Sequence, residues 1–219
     1  MTPAIVIPWR GGSSERERNL RFVEDWYRDL GLPIFMADHD PSLSFNRGGS
    51  RNAAIAAAEG YDPLIVIDGD CVADLRVVLQ AIDVARETGK LVLPHDDFWR
   101  LSEKGTQRLL ANPTYFKQTP GDVLDLIGEP RLGKSVMPSG ALVISRESFE
   151  RVGGYESRLL AWGYEDSLFL QDCRETVGVE RLPGFLWHLH HKRETGTIAD
   201  REAARVIAEQ HLAERRAGK

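Results

Sequence analysis

Short β-branched runs alternate along the chain with longer segments in which apolar residues recur every three to four positions. That alternation predicts an α/β protein, with helices packed on a mixed, mostly parallel central sheet. Ala4 to Pro8 reads as a buried first strand. Ser13 or Ser14 can cap a following helix whose apolar positions Leu20, Val23, Tyr27 and Leu30 keep a helical period, with Gly31 as its stop. Pro33 to Ala37 is predicted as a second strand ending at Asp38, and the alanine-rich Ser50 to Glu59 as a helix closed by Gly60. Leu64 to Ile67 is a third strand running into Asp68-Gly69-Asp70. Such an opening is the skeleton of a nucleotide-binding α/β domain, where ligands collect at the carboxyl ends of the strands.

Further on, the pattern predicts a helix over Leu75 to Glu87, strands at Leu91 to Leu93 and Ala141 to Ile144, a short helix over Arg146 to Val152 and a longer one over Glu165 to Thr176. Phe185 to Leu189 leads into a basic turn, His190 to Arg193, and a final charged helix runs from about Asp200 to Arg215. The stretch from His95 to Pro138 is broken by Gly105, Pro113, Pro120, Gly121, Gly128, Pro130 and Gly133. It reads as loops and short helices beside a site. No internal repeat, low-complexity tract or linker divides the 219 residues, which suit one domain.

Composition adds boundaries rather than a function. The chain is 42% hydrophobic and 28% charged, enough apolar material for a core. With 28 basic and 33 acidic residues its formal charge is −5, so no global field draws it to nucleic acid or an anionic membrane, although a local basic groove stays open. Cys71 and Cys173 lack the C-x-x-C spacing of a zinc ribbon or redox site. No stretch approaches the ~18 apolar residues of a membrane span. The expectation is a soluble, reduced, cytoplasmic protein without signal peptide or anchor.

Four segments carry chemistry. Asp68-Gly69-Asp70 places two carboxylates at a strand end, where hard oxygen ligands suit Mg²⁺ or Mn²⁺, though the same residues also make ordinary turns. Trp162-Gly163-Tyr164-Glu165-Asp166 sets an aromatic platform ahead of two acids, which could otherwise serve only as first-turn helix acids. His188-Leu189-His190-His191 holds three of the six histidines, and His188 and His191 are spaced to reach one ion from a turn. Phe45-Asn46-Arg47-Gly48-Gly49-Ser50-Arg51-Asn52 and Pro8-Trp9-Arg10-Gly11-Gly12 combine arginines with glycines in the manner of phosphate sites, or of solvated loops. Neither G-x-G-x-x-G nor a Walker lysine pattern is present, which argues against a nicotinamide enzyme or a P-loop ATPase.

In this order the segments resemble the GT-A glycosyltransferases, most closely the β-1,4-galactosyltransferase-like group and its family 2-like relatives, including the polypeptide N-acetylgalactosaminyl transferases. The matches are Ile7-Pro8-Trp9-Arg10 to a strand ending in I-P-F-R, Phe45-Asn46-Arg47 to F-N-R, Asp68-Gly69-Asp70 to D-x-D, Ala161 to Asp166 to G-W-G-x-E-D, and His188 to His191 to the closing metal segment. The resemblance covers about Ala4 to Arg193. It implies a GT-A fold in a single catalytic domain: residues 1–70 as the nucleotide-binding half, 71–193 as the acceptor and metal half, and 194–219 as a C-terminal helix. Pro8, Arg10, Phe45 and Arg47 would hold the nucleotide diphosphate, with Asp38 at the nucleobase and Asp68 near the ribose. Trp162 and Gly163 would lie at the sugar. Asp70, His188 and His191 would hold a divalent Mn²⁺ or Mg²⁺, His190 being the alternative histidine. Glu165 would orient the site and Asp166 would be the general base.

The resemblance thus implies metal-dependent transfer from a nucleotide-diphosphate sugar, with a UDP-sugar the expected donor, to an acceptor hydroxyl with inversion. The same fold also serves retaining enzymes, which use a front-face route without a base. Ser167 and Leu168 replace a further family acid, so the acceptor contact that acid makes is not expected. The acceptor (glycan, protein, small molecule or modified nucleobase) and the oligomeric state are left open. The rival readings are a sugar-phosphate nucleotidyltransferase, distinguished by pyrophosphate release, and a non-catalytic nucleotide- or carbohydrate-binding module.

Overall fold

Alternate residues of the central strands face opposite ways, and that parity divides the core into two layers. The computed structural model describes residues 1–40, 42, 44–114, 140–160, 163–192 and 197–218. Among these, the strands are β1 (Ala4–Pro8), β2 (Ile34–Ala37), β3 (Leu64–Ile67), β4 (Cys71–Ala73), β5 (Leu91–Leu93), β6 (Asp97–Arg100), β7 (Ala141–Ile144), β8 (Val179–Arg181) and β9 (Phe185–His188). The helices are α1 (Ser14–Tyr27), α2 (Arg47–Ala57), α3 (Leu75–Thr88), α4 (Glu103–Ala111), α5 (Arg146–Val152), α6 (Glu165–Thr176) and α7 (Ile198–Ala217). A six-stranded sheet runs in the order β2-β1-β3-β7-β5-β8, and β4-β9-β6 form a second, three-stranded sheet. In the larger sheet β1 pairs in parallel with β2 and β3, and β5 with β8, while β7 runs antiparallel to both its neighbours. This is the mixed, mostly parallel sheet that the pattern predicts.

On one face Ile5, Ile7, Ile65, Ile67 and Val143 pack under α1, through Leu20, Val23, Trp26 and Tyr27, and under α3, through Val78, Ala81, Ile82 and Ala85. On the other, Ala4, Val6, Leu64, Val66, Leu142 and Ile144 meet Ala54 and Ile55 of α2, Val152 of α5, and Phe169, Leu170 and Cys173 of α6. Because β1, β2 and β3 are parallel, their carboxyl ends deliver Pro8, Asp38 and Asp68 to one edge of the sheet.

Several elements differ from the sequence expectation. β6 and α4 lie in the segment predicted as loops and short helices; residues 115–139 of that segment lie outside the described residues. β4, β6 and β8 are not among the expected strands; they are held by pairing with β9 and β5, partners distant in sequence. α2 starts at Arg47 rather than Ser50, because the Asn46 side chain accepts from the Gly49 amide at 2.8 Å and carries two glycines into the first turn. α7 starts at Ile198, behind a capping box in which Thr197 and Asp200 satisfy each other's backbone amides. No helix among the described residues is long and apolar enough to cross a membrane.

The second sheet is fastened to the first. Trp26 Nε1 donates to the Ala73 carbonyl at 2.9 Å, and the Ala73 amide donates to the Tyr27 hydroxyl at 2.9 Å. Trp187 of β9 is fully buried, its ring centroid 5.5 Å from that of Trp99. Gly140 enters β7 at φ 94°, its carbonyl accepting from the Asp68 amide at 3.0 Å. A Cβ at Gly140 would lie 2.4 Å from Leu186 Cδ2, so both conformation and space demand glycine. Gly140→Ala is expected to destabilise the fold by about 2–4 kcal/mol, from backbone strain and overpacking together. Urea unfolding should show a lowered midpoint, and an unchanged one would contradict the packing described.

Candidate active site

The turn between β3 and β4 is closed by the Cys71 amide donating to the Asp68 carbonyl at 3.0 Å. β4 and β9 pair with Cys71 opposite His188, so the register brings the end of β9 alongside Asp70. The Leu189 amide donates to the Asp70 carbonyl at 2.8 Å and locks the two segments together. His191 Nε2 lies 3.1 Å from Asp70 Oδ2, and His188 Nε2 lies 3.8 Å from Oδ1. The His190 backbone is held by its amide donating to Thr106 Oγ1 at 2.7 Å and its carbonyl accepting from Asn19 Nδ2 at 3.1 Å, while its ring Nδ1 is buried without a hydrogen-bond partner. The Lys192 amide donates to Glu15 Oε2 at 3.0 Å, so α1 and α4 both brace the histidine segment.

Electrostatics set these groups apart. Burial pushes the Asp70 carboxyl up, but His188 and His191 outweigh it and hold it well below the usual carboxylate range. Burial lowers the pKa of His188, whereas the hydrogen bond to Asp70 raises that of His191. Cys71, whose thiol donates to Asp70 at 3.4 Å, is driven upward by burial and stays protonated. Asp70, Cys71 and His188 offer ligand atoms within 4.8 Å of one another, and His191 stands at the other Asp70 oxygen; a carboxylate with imidazoles beside it suits a divalent ion such as Mn²⁺.

A second corner forms where α6 begins. Tyr164 precedes it in the left-handed region at φ 69°, rare for a bulky residue, with Gly163 at φ 122° before it. Glu165 is buried; its Oε2 accepts from the Gly163 amide at 3.1 Å, and Arg47 Nη1 lies 3.9 Å from Oε1. Asp166 Oδ1 is 2.8 Å from Arg51 Nη1, and Arg51 Nη2 donates to Asp68 Oδ1 at 2.7 Å. The Arg51 guanidinium lies over the Tyr155 ring, 5.1 Å from its centroid, and Tyr155 stacks on Phe169 at 3.9 Å. Asn52 clamps the Tyr155 backbone, accepting from its amide and donating to its carbonyl, both at 2.9 Å. Asp166 is pushed up to about 7, mainly by burial and with help from Glu165 and Asp68, against the pull of Arg51. Trp162 lies outside the described residues.

The third corner collects the ends of β1 and β2. Arg10 pairs with Asp38 and donates to the Asp40 carbonyl at 2.5 Å. Ser50 Oγ donates to Asp38 Oδ1 at 3.0 Å; these bonds outweigh burial and hold Asp38 below its usual range. The Arg10 guanidinium lies 5.5 Å from the Phe45 ring centroid, and that of Arg16 lies 5.6 Å from both Phe45 and Trp9. Trp9 covers Gly69, where a Cβ would lie 2.9 Å from its ring. The structure thus joins Arg10 with Asp38 and Phe45, Arg47 with Glu165, and Asp70 with His188 and His191. Sequence reasoning gave Trp9 and Arg16 no role of their own and read Arg51 only within a segment of the phosphate-binding kind. Arg51 had a usable signal: it shares a helical stripe with Ala54, Ile55 and Ala58, all buried, where a charge needs a partner.

Residues 128–192 match a family model described as the N-terminal domain of galactosyltransferase, and no curated protein matches the chain. Among solved structures, the catalytic domain of Drosophila β-1,4-galactosyltransferase 7 in complex with xylobiose is 19% identical, with a TM-score of 0.62 over 93% of this chain and 79% of that one. A mutant of the Drosophila enzyme in complex with manganese, UDP-Gal and xylobiose is 17% identical, with a TM-score of 0.57 over 92% of this chain and 79% of that one. Likeness at such identity is likeness of fold, and on it, together with the sheet order and the site at its edge, the chain is a GT-A-fold protein.

Proposed function

We propose that the protein is a metal-dependent glycosyltransferase that moves a sugar from a nucleoside-diphosphate donor, a UDP-sugar, to an acceptor hydroxyl with inversion. The observation that carries this reading is the division of labour around one turn. Asp70 stands with two imidazoles on one side, while Asp166, near neutrality in its titration, reaches Asp68 through Arg51 on the other. The manganese and UDP-Gal bound by the Drosophila enzyme of the same fold support the choice of metal and donor.

In this reading Asp38 meets the nucleobase, Asp68 the ribose, and Pro8, Arg10, Phe45 and Arg47 the diphosphate. Trp162 and Gly163 lie at the sugar. Asp166 takes the proton of the acceptor hydroxyl as that oxygen bonds to the anomeric carbon. The bond from that carbon to the diphosphate oxygen breaks on the opposite face, and its electron pair leaves with the diphosphate. Arg10 and Arg47 can oppose the charge that gathers there, an interaction stronger in the transition state than before it. A divalent ion held by Asp70, His188 and His191 supplies further positive charge to the leaving group. Glu165, holding the Gly163 amide, fixes the backbone turn that presents Asp166.

Asp166→Asn should lower kcat by about 10²–10⁴-fold, the usual worth of a general base, with little change in UDP affinity measured by calorimetry. Near-normal turnover would remove the assignment. Since the carboxylate is the active form and titrates near 7, kcat/KM should rise with pH through that range and level above it; a fall over the same interval would contradict the role. Asp70→Ala and His188→Ala should each abolish detectable Mn²⁺ binding in calorimetry. In the unsubstituted protein Mn²⁺ affinity should weaken as pH falls, because the proton shared by His191 and Asp70 competes with the ion. A pH-independent affinity would place the ion elsewhere.

A further inference from the structure

We propose that Arg51 is a positioning residue of this site, its guanidinium tying the donor-side carboxylate of Asp68 to the acceptor-side carboxylate of Asp166 and keeping Asp166 ionised and aimed. The arrangement is built for that purpose. Arg51 is 2% exposed, on the buried stripe of α2, and a charge there is costly unless its hydrogen-bonding ends are met. Carboxylates face both ends: Nη2 donates to Asp68 Oδ1 at 2.7 Å, and Nη1 is ion-paired with Asp166 Oδ1 at 2.8 Å without the geometry of a hydrogen bond. Its plane is fixed from one side by the Tyr155 ring, which is itself pinned by Phe169 and by the Asn52 clamp on its backbone. A planar, two-ended cation suits this place, and the point charge of a lysine cannot span it.

The surroundings show what Arg51 opposes. Asp166 faces Arg51 and Arg47 from α2, Asp68 from the turn after β3, Tyr155 from the segment after α5, and Glu165 from its own helix. Three carboxylates therefore crowd one partly buried corner, and Arg51 is the cation in closest contact with two of them. The Asp166 and Asp68 carboxylates in turn outweigh burial and hold the guanidinium charged, above its usual range. Since one rigid fork touches both, displacement of Asp68 by bound donor is transmitted to the carboxylate that receives the acceptor proton.

The role of Asp166 as base rests on the proposed function; the pairing by Arg51 does not, so the test includes a readout that needs no turnover. Carbon-13 NMR of carboxyl-labelled aspartate follows the Asp166 titration in the full chain, with Asp166→Asn identifying its signal. Replacing a cation in contact with a carboxylate should raise the midpoint by about one to three pH units in Arg51→Met. Arg51→Lys, which keeps the charge and loses the fork, should show a smaller rise and a kcat lowered by about 10–100-fold, as expected of a misaimed base. The acidic limb of kcat/KM should move upward with the NMR midpoint. If Arg51→Met does not fold, Arg51→Lys decides: a folded protein with wild-type midpoint and wild-type kcat overturns the proposal, as does an unshifted midpoint in a folded Arg51→Met. If the unsubstituted protein transfers no sugar from any nucleotide sugar, the proposed function fails while the NMR midpoints still judge Arg51.

Discussion

Three carboxylates, Asp68, Glu165 and Asp166, meet where β3 ends and α6 begins, with Asp70 farther along the same turn, and the site depends on how the charge of these acids is offset. Two like charges 4 Å apart cost on the order of 4 kcal/mol at the effective dielectric typical of protein sites. The protein gives the acids different partners: the imidazoles of His188 and His191 to Asp70, Arg47 to Glu165, and Arg51 shared by Asp68 and Asp166. The outcome is a divergence, with Asp70 held as a carboxylate and Asp166 poised near 7. Neighbouring acids whose environments drive them apart are how one site comes to hold both a permanent anion and a proton acceptor.

The scaffold makes this offset possible by fixing backbone rather than by closing a deep cavity. The Cys71–His188 register places the histidines beside Asp70, and the Gly140 carbonyl anchors the Asp68 amide. Trp9 presses on Gly69, where any side chain would collide, and so holds the turn from the side of β1. Asn46 and Asn52 fasten α2 to the segment after α5 through the carbonyls of Ser157 and Tyr155. The arginines of α2 are thereby carried to the acids of α6. Aromatic, glycine and amide side chains thus do the positioning, and the charged groups inherit their geometry from them.

The elements that bury both faces were legible in the chain. β3, β5 and β7 lie where uninterrupted aliphatic runs place them, and α5 and α6 where the sequence expectation puts them. The three- and four-residue strands β4, β6 and β8 had no such signature, since their stability comes from partners distant in sequence. The chemistry-bearing segments could be read as motifs because their residues are adjacent along the chain. Arg51 was quoted within one of them and still missed, since its meaning lies in a helical stripe with Ala54, Ile55 and Ala58 and in two acids 17 and 115 positions away. Arg16 was hidden in the same way: in sequence it is one more charge on a polar helix, and in space it stacks on Trp9 and Phe45.

The central claim is spatial: one turn, with the leaving-group side at Asp70 and the base side at Asp166. Anomalous diffraction at the manganese edge from crystals grown with Mn²⁺ and UDP tests it most directly. The account predicts a single manganese peak within bonding distance of Asp70, His188 and His191, with the diphosphate against it and the Asp166 carboxylate left open to an acceptor. Manganese bound away from these three residues, or UDP seated without contact to the Asp68-Gly69-Asp70 turn, would contradict it.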